Sequence, residues 1–243
     1  MDEKIFDRVE KKYLITKEQK TALMSIIDKH MQHDGYFTSE VHNIYFDTDH
    51  FDLIIKSIER PKFKEKLRAR SYGGYDKVFL EIKTKMKGKD YNIGYKRRIL
   101  ITHKDYEELV KGTKTAVELA SQNVETPHDV QIASEVDYFI KHFNLKPQIL
   151  VYYDRTSFTG ENNLRITFDE HLSYRNHDVK FNKTRKDYRY FKNDEKNIIM
   201  EIKAHGVMPL WLVHALSEAK AYPEQFSKIG KIYAQINRKE QNV

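Results

Sequence analysis

Residues 62–72 read Lys-Phe-Lys-Glu-Lys-Leu-Arg-Ala-Arg-Ser-Tyr, and in most of this stretch cations alternate with other residue types. Successive side chains of a strand point to opposite faces. Lys64, Lys66, Arg68 and Arg70 therefore share one face, and Phe63, Glu65, Leu67 and Ala69 share the other. Like charges then stand about 7 Å apart in one column, which is unfavourable unless something separates or neutralises them. Either the face opens to water or a multivalent anion occupies it.

Outward from this strand the pattern repeats. Gly73-Gly74 predicts a turn, and residues 77–85 the next strand, with Val78, Leu80 and Ile82 on one face and Glu81, Lys83 and Lys85 on the other. After Gly88, residues 91–101 predict a strand carrying Lys96, Arg97 and Arg98. On the N-terminal side, residues 41–47 predict a short strand and residues 52–56 a helical turn. Residues 4–15 alternate as a strand with Arg8, Glu10 and Lys12 on one side. Thr16 caps a helix expected from Lys17 to about His33, ended by Asp34-Gly35.

The second half continues in the same style. Helices are expected over 104–111, 114–122 and 129–143, then a strand over 148–158 bearing Tyr153 and Arg155. A turn at 160–163 leads to a strand over 164–169, with Arg165, Thr167 and Asp169 on one face. Residues 176–196 read as a polar loop with an irregular strand; its cations Lys183, Arg185, Lys186 and Arg189 suit an ordinary solvated loop or the rim of a site. A last strand over 198–204 carries Glu201 and Lys203, and helices over 209–221 and 223–237 close the chain. No internal repeat or domain boundary stands out, so one domain over 1–243 is expected.

About eight strands with one apolar and one charged face fit an antiparallel sheet with one wet side. Closed into a barrel with the charged faces inward, that number encloses room for one elongated ligand. Such an interior suits a chain of phosphates, and its carboxylates suit a divalent metal with oxygen ligands. Taken singly, each signal also has a plainer meaning. Glu81–Lys83 or Glu201–Lys203 alone reads as a solvated ion pair, and Lys66-Arg68-Arg70 alone as a basic patch for nucleic acid.

Composition narrows the class. The 243 residues carry a formal charge of +7 and no cysteine, which favours an anionic partner and excludes disulfides and thiolate metal sites. No apolar run approaches the ~20 residues of a membrane span, and no signal-peptide core precedes Tyr13, so a cytoplasmic protein is expected. Phosphate-loop and dinucleotide-binding glycine motifs are absent, as is any Ser/His/Asp signature. His30 and His33 share a helix face without a third ligand and read as surface. Few aromatics interleave with the cations along the chain, so nucleic acid is not the expected partner.

An ordered set of segments resembles one family: RVEKKYLI, NIYFDTDHFD, KEKLRARSYG, VFLEIKTK, YKRRI, VYYDRTSF, LRITFD, IIMEIKAHGVMPLWL and FSKIGKIY. Together they resemble the VTC (vacuolar transporter chaperone) domain, the polyphosphate polymerase branch of the triphosphate tunnel metalloenzymes. The resemblance implies an α+β fold, a closed antiparallel eight-stranded β tunnel with flanking helices. It implies transfer of the γ-phosphoryl of ATP to polyphosphate, with Mn²⁺ or Mg²⁺ as cofactor. Arg68 and Arg70 are then phosphate clamps, with Lys83, Arg98, Arg155, Arg165 and Lys203 as further catalytic cations. Arg8, Lys12, Lys66, Lys85, Lys96, Tyr153 and Lys228 are implied substrate contacts, and Glu201 and Glu10 metal ligands. Other tunnel enzymes begin with Glu-x-Glu-x-Lys. Here that face reads Arg8, Glu10, Lys12, which favours the polymerase branch. Eukaryotic relatives add a phosphate-sensing module and membrane helices that are not recognised in this sequence, so association with a membrane partner protein stays open. A hydrolase acting in the same tunnel and a non-catalytic polyanion binder are the alternatives.

Overall fold

The computed structural model describes residues 8–73, 76–89, 92–123, 126–181, 188–191 and 196–240. In chain order the elements are β1 (Arg8–Ile15), α1 (Lys17–His30), β2 (Gln32–Asp47), α2 (Asp52–Ile58), β3 (Phe63–Tyr72), β4 (Lys77–Lys87) and β5 (Asn92–Thr102). Then come α3 (His103–Lys111), α4 (Ala116–Asn123), α5 (Pro127–His142), β6 (Lys146–Thr159) and β7 (Arg165–Arg175). The chain continues with the two-residue β8 (Arg189–Tyr190), β9 (Ile198–His205), α6 (Leu210–Glu218) and α7 (Lys228–Glu240). The class is α+β, an antiparallel β architecture with flanking helices.

The chain packs as two compact units. The first gathers the described residues up to Glu40, Tyr153–Leu172 and Tyr190–Ser227. Its strand order is β1-β9-β7-β6. One face of these strands (Tyr13, Ile15, Ile166, Phe168, Met200 and Ile202) packs with Leu23 and Ile27 of α1 and Leu212 and Ala215 of α6. Helix α1 starts where expected because Thr16 and Gln19 satisfy each other's backbone amides, at 3.2 and 3.0 Å. The Gln19 side-chain amide also donates to the carbonyl of Ala219 just past α6.

The second unit comprises Val41–Tyr152, Ser173–Arg189 and the chain from Lys228 onward. Here the order is β6-β2-β3-β4-β5. Ile44, Leu67, Ala69, Leu80, Ile82 and Ile99 form an apolar face packed against Tyr106, Leu109, Leu119, Ile132, Val136 and Phe139 of α3, α4 and α5. Helices cover one side of the strands, which leaves the alternate side chains to a polar face.

Several boundaries differ from expectation. Helix α1 stops at His30 and β2 begins at Gln32, so Asp34-Gly35 lies inside a strand. Met31 is extended (φ −135°, ψ 156°) and buried, which ends the helix three residues early. Strand β7 runs on to Arg175 rather than stopping at Asp169. Helix α7 begins at Lys228, not Pro223. Pro223 bridges to Tyr13 and the Glu224 amide donates to the Lys12 carbonyl at 2.7 Å, which holds this stretch extended. Lys183, Arg185 and Lys186 lie outside the described residues, and Arg189 is exposed in β8.

Candidate functional site

In the second unit, strand register decides which charges meet. Arg68 stands opposite Glu81, and Glu81 opposite Arg98. One step along, Lys66 faces Lys83, which faces Lys96; a further step pairs Lys64 with Lys85. On the other side of β3, Tyr45 and Asn43 of β2 stand opposite Arg68 and Arg70. Directly opposed residues of antiparallel strands share a face. Arg68, Arg70, Lys66, Lys83, Lys85, Lys96 and Arg98 therefore lie on one face, as the alternation in the sequence required.

Glu81 is the centre of that face. It is fully buried (0% exposed), and its Oε2 accepts from Arg68 Nε at 2.7 Å and lies 2.5 Å from Arg68 Nη2. Arg70 Nε is 3.9 Å from the same oxygen, and Lys96 Nζ 3.8 Å from Oε1. Burial alone pushes the Glu81 carboxyl up, but Arg68, Arg70 and Lys96 together outweigh it and hold it below the ordinary carboxylate value. Arg70 is fixed from both sides, donating to Asn43 Oδ1 at 2.7 Å and to the Tyr72 hydroxyl at 3.1 Å. Asn43 in turn donates to the Val151 carbonyl. Arg68 Nη1 donates to the Tyr45 hydroxyl at 3.4 Å. Burial raises the Tyr45 phenol, yet Arg68, Lys66 and Arg70 around it pull it down to about 8. Burial lowers the Lys96 ammonium, Glu81 only partly restores it, and Arg98 and Arg70 lower it further.

The first unit carries a second polar face. Glu10 stands opposite Lys203, and Lys203 opposite Arg165; Lys12 stands opposite Glu201, and Glu201 opposite Thr167. Lys203 Nζ is 2.7 Å from Glu201 Oε1 and 3.9 Å from Glu10 Oε2, so one ammonium joins both carboxylates. Lys12 Nζ is 3.5 Å from Glu10 and donates to the Phe226 carbonyl. Arg155 grips buried Asp169 with a two-bond fork, Nε–Oδ1 2.6 Å and Nη2–Oδ2 2.8 Å, and lies 5.2 Å from the Tyr153 ring centre. Burial disfavours the Arg155 charge, but Tyr153, Asp169 and Glu201 raise its pKa well above the ordinary value. Arg165 donates to Asp34 at 3.0 Å. Lys228 opens α7 in the second unit and is half-buried. Arg8 stands opposite His205, and its side chain lies outside the described residues.

The sequence placed Glu81 on the charged face without a role, and it did not single out Asn43 or Tyr45. Glu81–Lys83 resembles a solvated pair, yet Glu81 is buried and its partners come from neighbouring strands. Asn43 and Tyr45 share a parity within one strand, a signal that becomes meaningful only once Arg70 and Arg68 stand opposite them.

Among the described residues no three His, Asp or Glu side chains cluster as a metal site. Glu10 and Glu201, joined through Lys203, are a two-carboxylate donor set. Such a set fits a hard cation that draws its remaining oxygens from phosphate and water rather than from a protein cage.

These strands and helices define an antiparallel α+β fold with helices flanking the strands. A solved Hippeastrum protein, described as an adenylyl cyclase candidate with a dominant triphosphatase activity, superposes with a TM-score of 0.56 over 94% of this chain and 96% of its own. It is 15% identical, so the likeness concerns the fold. The chain belongs to the VTC domain family, whose sequence model matches residues 7–237. It is 26% identical over 192 residues to vacuolar transporter chaperone complex subunit 4 of Schizosaccharomyces pombe, covering 69% of this chain and 26% of that protein. The subunit 4 of Trypanosoma brucei brucei is 28% identical over 154 residues, 55% of this chain and 19% of that one. The matched region is thus about a quarter or less of these relatives' length. Among the described residues no helix is long and apolar enough to cross a membrane.

Proposed function

We propose that this chain is a polyphosphate polymerase that transfers the γ-phosphoryl of ATP to the end of a growing polyphosphate and releases ADP. The observation that carries this reading is the register of β3, β4 and β5. It continues a buried Arg68–Glu81–Arg70 cluster into opposed lysines, Lys66–Lys83–Lys96 and Lys64–Lys85. Rows of cations on one face match the repeated charges of a polymer of phosphates. Membership of the VTC family supports the same substrate class.

In the reaction a terminal phosphate oxygen of the acceptor forms a bond to the γ-phosphorus. The bond from that phosphorus to the β–γ bridging oxygen breaks, and its electron pair leaves on ADP. The attacking oxygen is already ionised near neutrality, so the chain needs no general base and contributes positioning and charge stabilisation. Arg68 and Arg70 clamp phosphoryl oxygens, with Lys83, Arg98, Arg155, Arg165 and Lys203 as further cations. Lys66, Lys85, Lys96, Arg8, Lys12, Tyr153 and Lys228 hold donor or polymer. Glu10 and Glu201 would hold Mn²⁺ or Mg²⁺, which when bound neutralises phosphoryl charge.

Incubation with ATP and Mn²⁺ should give polymer on a gel, abolished by chelation and by Arg68→Ala with Arg70→Ala. Losing one such cation costs roughly 3 kcal/mol of transition-state stabilisation. Orthophosphate without polymer would overturn the polymerase assignment and leave a hydrolase; no turnover would leave a binding module. Residues 1–243 are proposed to act as one domain, supported by β2, β6 and β7 each contributing residues to both units. A single cooperative unfolding transition is the check. The proposal includes a cytoplasmic location and a membrane-associated partner protein; the relatives' membership of a complex supports the existence of a partner, and cell fractionation tests both.

A further inference from the structure

The cationic face of the second unit is not uniform along β3. Beyond the Arg68–Glu81–Arg98 row, the next row on that face is Arg70, Phe79 and Leu100. Tyr72 follows two residues after Arg70 and so points the same way. In the opposite direction the rows contain lysines. One end of the face is therefore aromatic and aliphatic, and the other is a lysine track.

The aromatic end is open and layered. Tyr72 is 39% exposed and Leu100 46%. The Tyr72 and Phe79 rings meet edge to face with centres 6.1 Å apart. The Arg98 guanidinium lies 4.6 Å from the centre of the Phe79 ring, and that of Arg70 lies 5.7 Å from the centre of Tyr72. Aromatic faces and guanidinium planes are the surfaces on which bases stack, and a base is flat, apolar on both sides and joined to phosphate. Tyr72 lies only two residues from Arg70, but Phe79 lies nineteen residues from Arg98, and it is strand register that brings this second pair together.

We infer that Tyr72, Leu100 and the Arg98–Phe79 layer form the platform that takes the nucleobase of the donor, while Arg70 and Arg68 take its phosphates. The orientation follows: base at the Tyr72 end, phosphates at Arg70 and Arg68, and the polymer over Lys66, Lys64 and Lys85. This rests on the reading that the donor is a nucleoside triphosphate.

Calorimetric titration of the full chain with ATP and with inorganic tripolyphosphate separates base from phosphate. Phe79→Leu against the unaltered protein, and Tyr72→Leu against Tyr72→Phe (both of which lack the hydroxyl bonded to Arg70), should each weaken ATP about tenfold and tripolyphosphate less than about twofold. Tyr72→Phe keeps the ring but loses the hydroxyl that accepts from Arg70, and should leave the ratio of the two affinities at its original value. Should Phe79→Leu fail to fold, Leu100→Trp at an exposed position decides, and ATP alone should tighten. Equal loss for both ligands, or unchanged ATP affinity in the ring-deleting variants, overturns the platform while leaving the phosphate reading intact. If the unaltered protein binds neither ligand, the phosphate reading fails and takes the platform with it.

Discussion

Glu81→Gln is the most informative single change. The substitution keeps the shape and removes one negative charge from a fully buried position. Arg68 and Arg70, with side chains 15% and 10% exposed, and the more open Lys96 then face each other without that carboxylate. A contact near 4 Å, such as those of Arg70 and Lys96, is worth about 4 kcal/mol of gross attraction at an effective dielectric of about 20, before desolvation is subtracted. Breaking one side of a buried charge cluster costs about 3 kcal/mol net, a fall of about 6–12 °C in melting temperature for a chain of this size.

The assay is urea unfolding with and without tripolyphosphate. A bound polyanion supplies the charge that glutamine lacks, so the ligand-induced stabilisation should be larger in Glu81→Gln than in the unaltered protein. The pH dependence has a definite sign. The folded carboxyl lies below the ordinary glutamate value of 4.5, so its contribution is complete above that pH and is lost as pH falls through the folded value. The gap between the two proteins should therefore close in acid. A loss below about 1 kcal/mol, within the range of an exposed ion pair, refutes the reasoning. So does a ligand shift no larger than in the unaltered protein.

Two further outcomes follow from the same geometry. Ultraviolet difference absorbance should show one phenol ionising near pH 8, absent in Tyr45→Phe and moved upward in Arg68→Ala. Because that value is depressed from 10.0, the contribution of Tyr45 to stability should grow as pH rises from about 8 to 10 and be lost as pH falls back; a titration identical in Tyr45→Phe rules this out. In the first unit, Arg155→Ala should cost about 3–5 kcal/mol by stranding buried Asp169, and Arg155→Lys should recover only part because an ammonium cannot form the two-bond fork. Combining Arg155→Ala with Asp169→Ala should cost less than the two single changes added, and strict additivity would refute the coupling.

The sequence made strand faces legible and strand partners illegible. Alternation in 62–72 assigns Lys64, Lys66, Arg68 and Arg70 to one face because a pleated strand has period 2 whatever it pairs with. Thr16 likewise announces the start of α1 through a capping bond confined to four residues. Glu81 is different. Its ion-pair partners include Arg68, thirteen residues away in β3, and Lys96, fifteen residues away in β5, and a one-residue slip of either strand would undo the arrangement. The start of β2 was hidden for a related reason. Residues 32–40 include a polar stretch around Asp34-Gly35, without the apolar alternation that marks 41–47.

The same distinction bears on chemistry. A column of four cations suggests that anions bind but not where a phosphoryl group is held rigidly. Rigidity comes from the groups that fix the cations: Glu81 and Tyr45 for Arg68, Asn43 and Tyr72 for Arg70, Asp169 for Arg155. Electrostatic catalysis requires donors that are already oriented, so that no reorganisation opposes the reaction. Lys85 is an exposed lysine on a flexible stem, suited to holding a polymer without fixing its register. One face thus has a fixed end and a loose end. The boundary between them lies between the Arg68 and Lys66 rows, where the buried carboxylate of Glu81 gives way to opposed lysines. That ordering suits the proposed reaction, in which the reacting phosphates are held still at the fixed end while the rest of the polymer lies along the loose one.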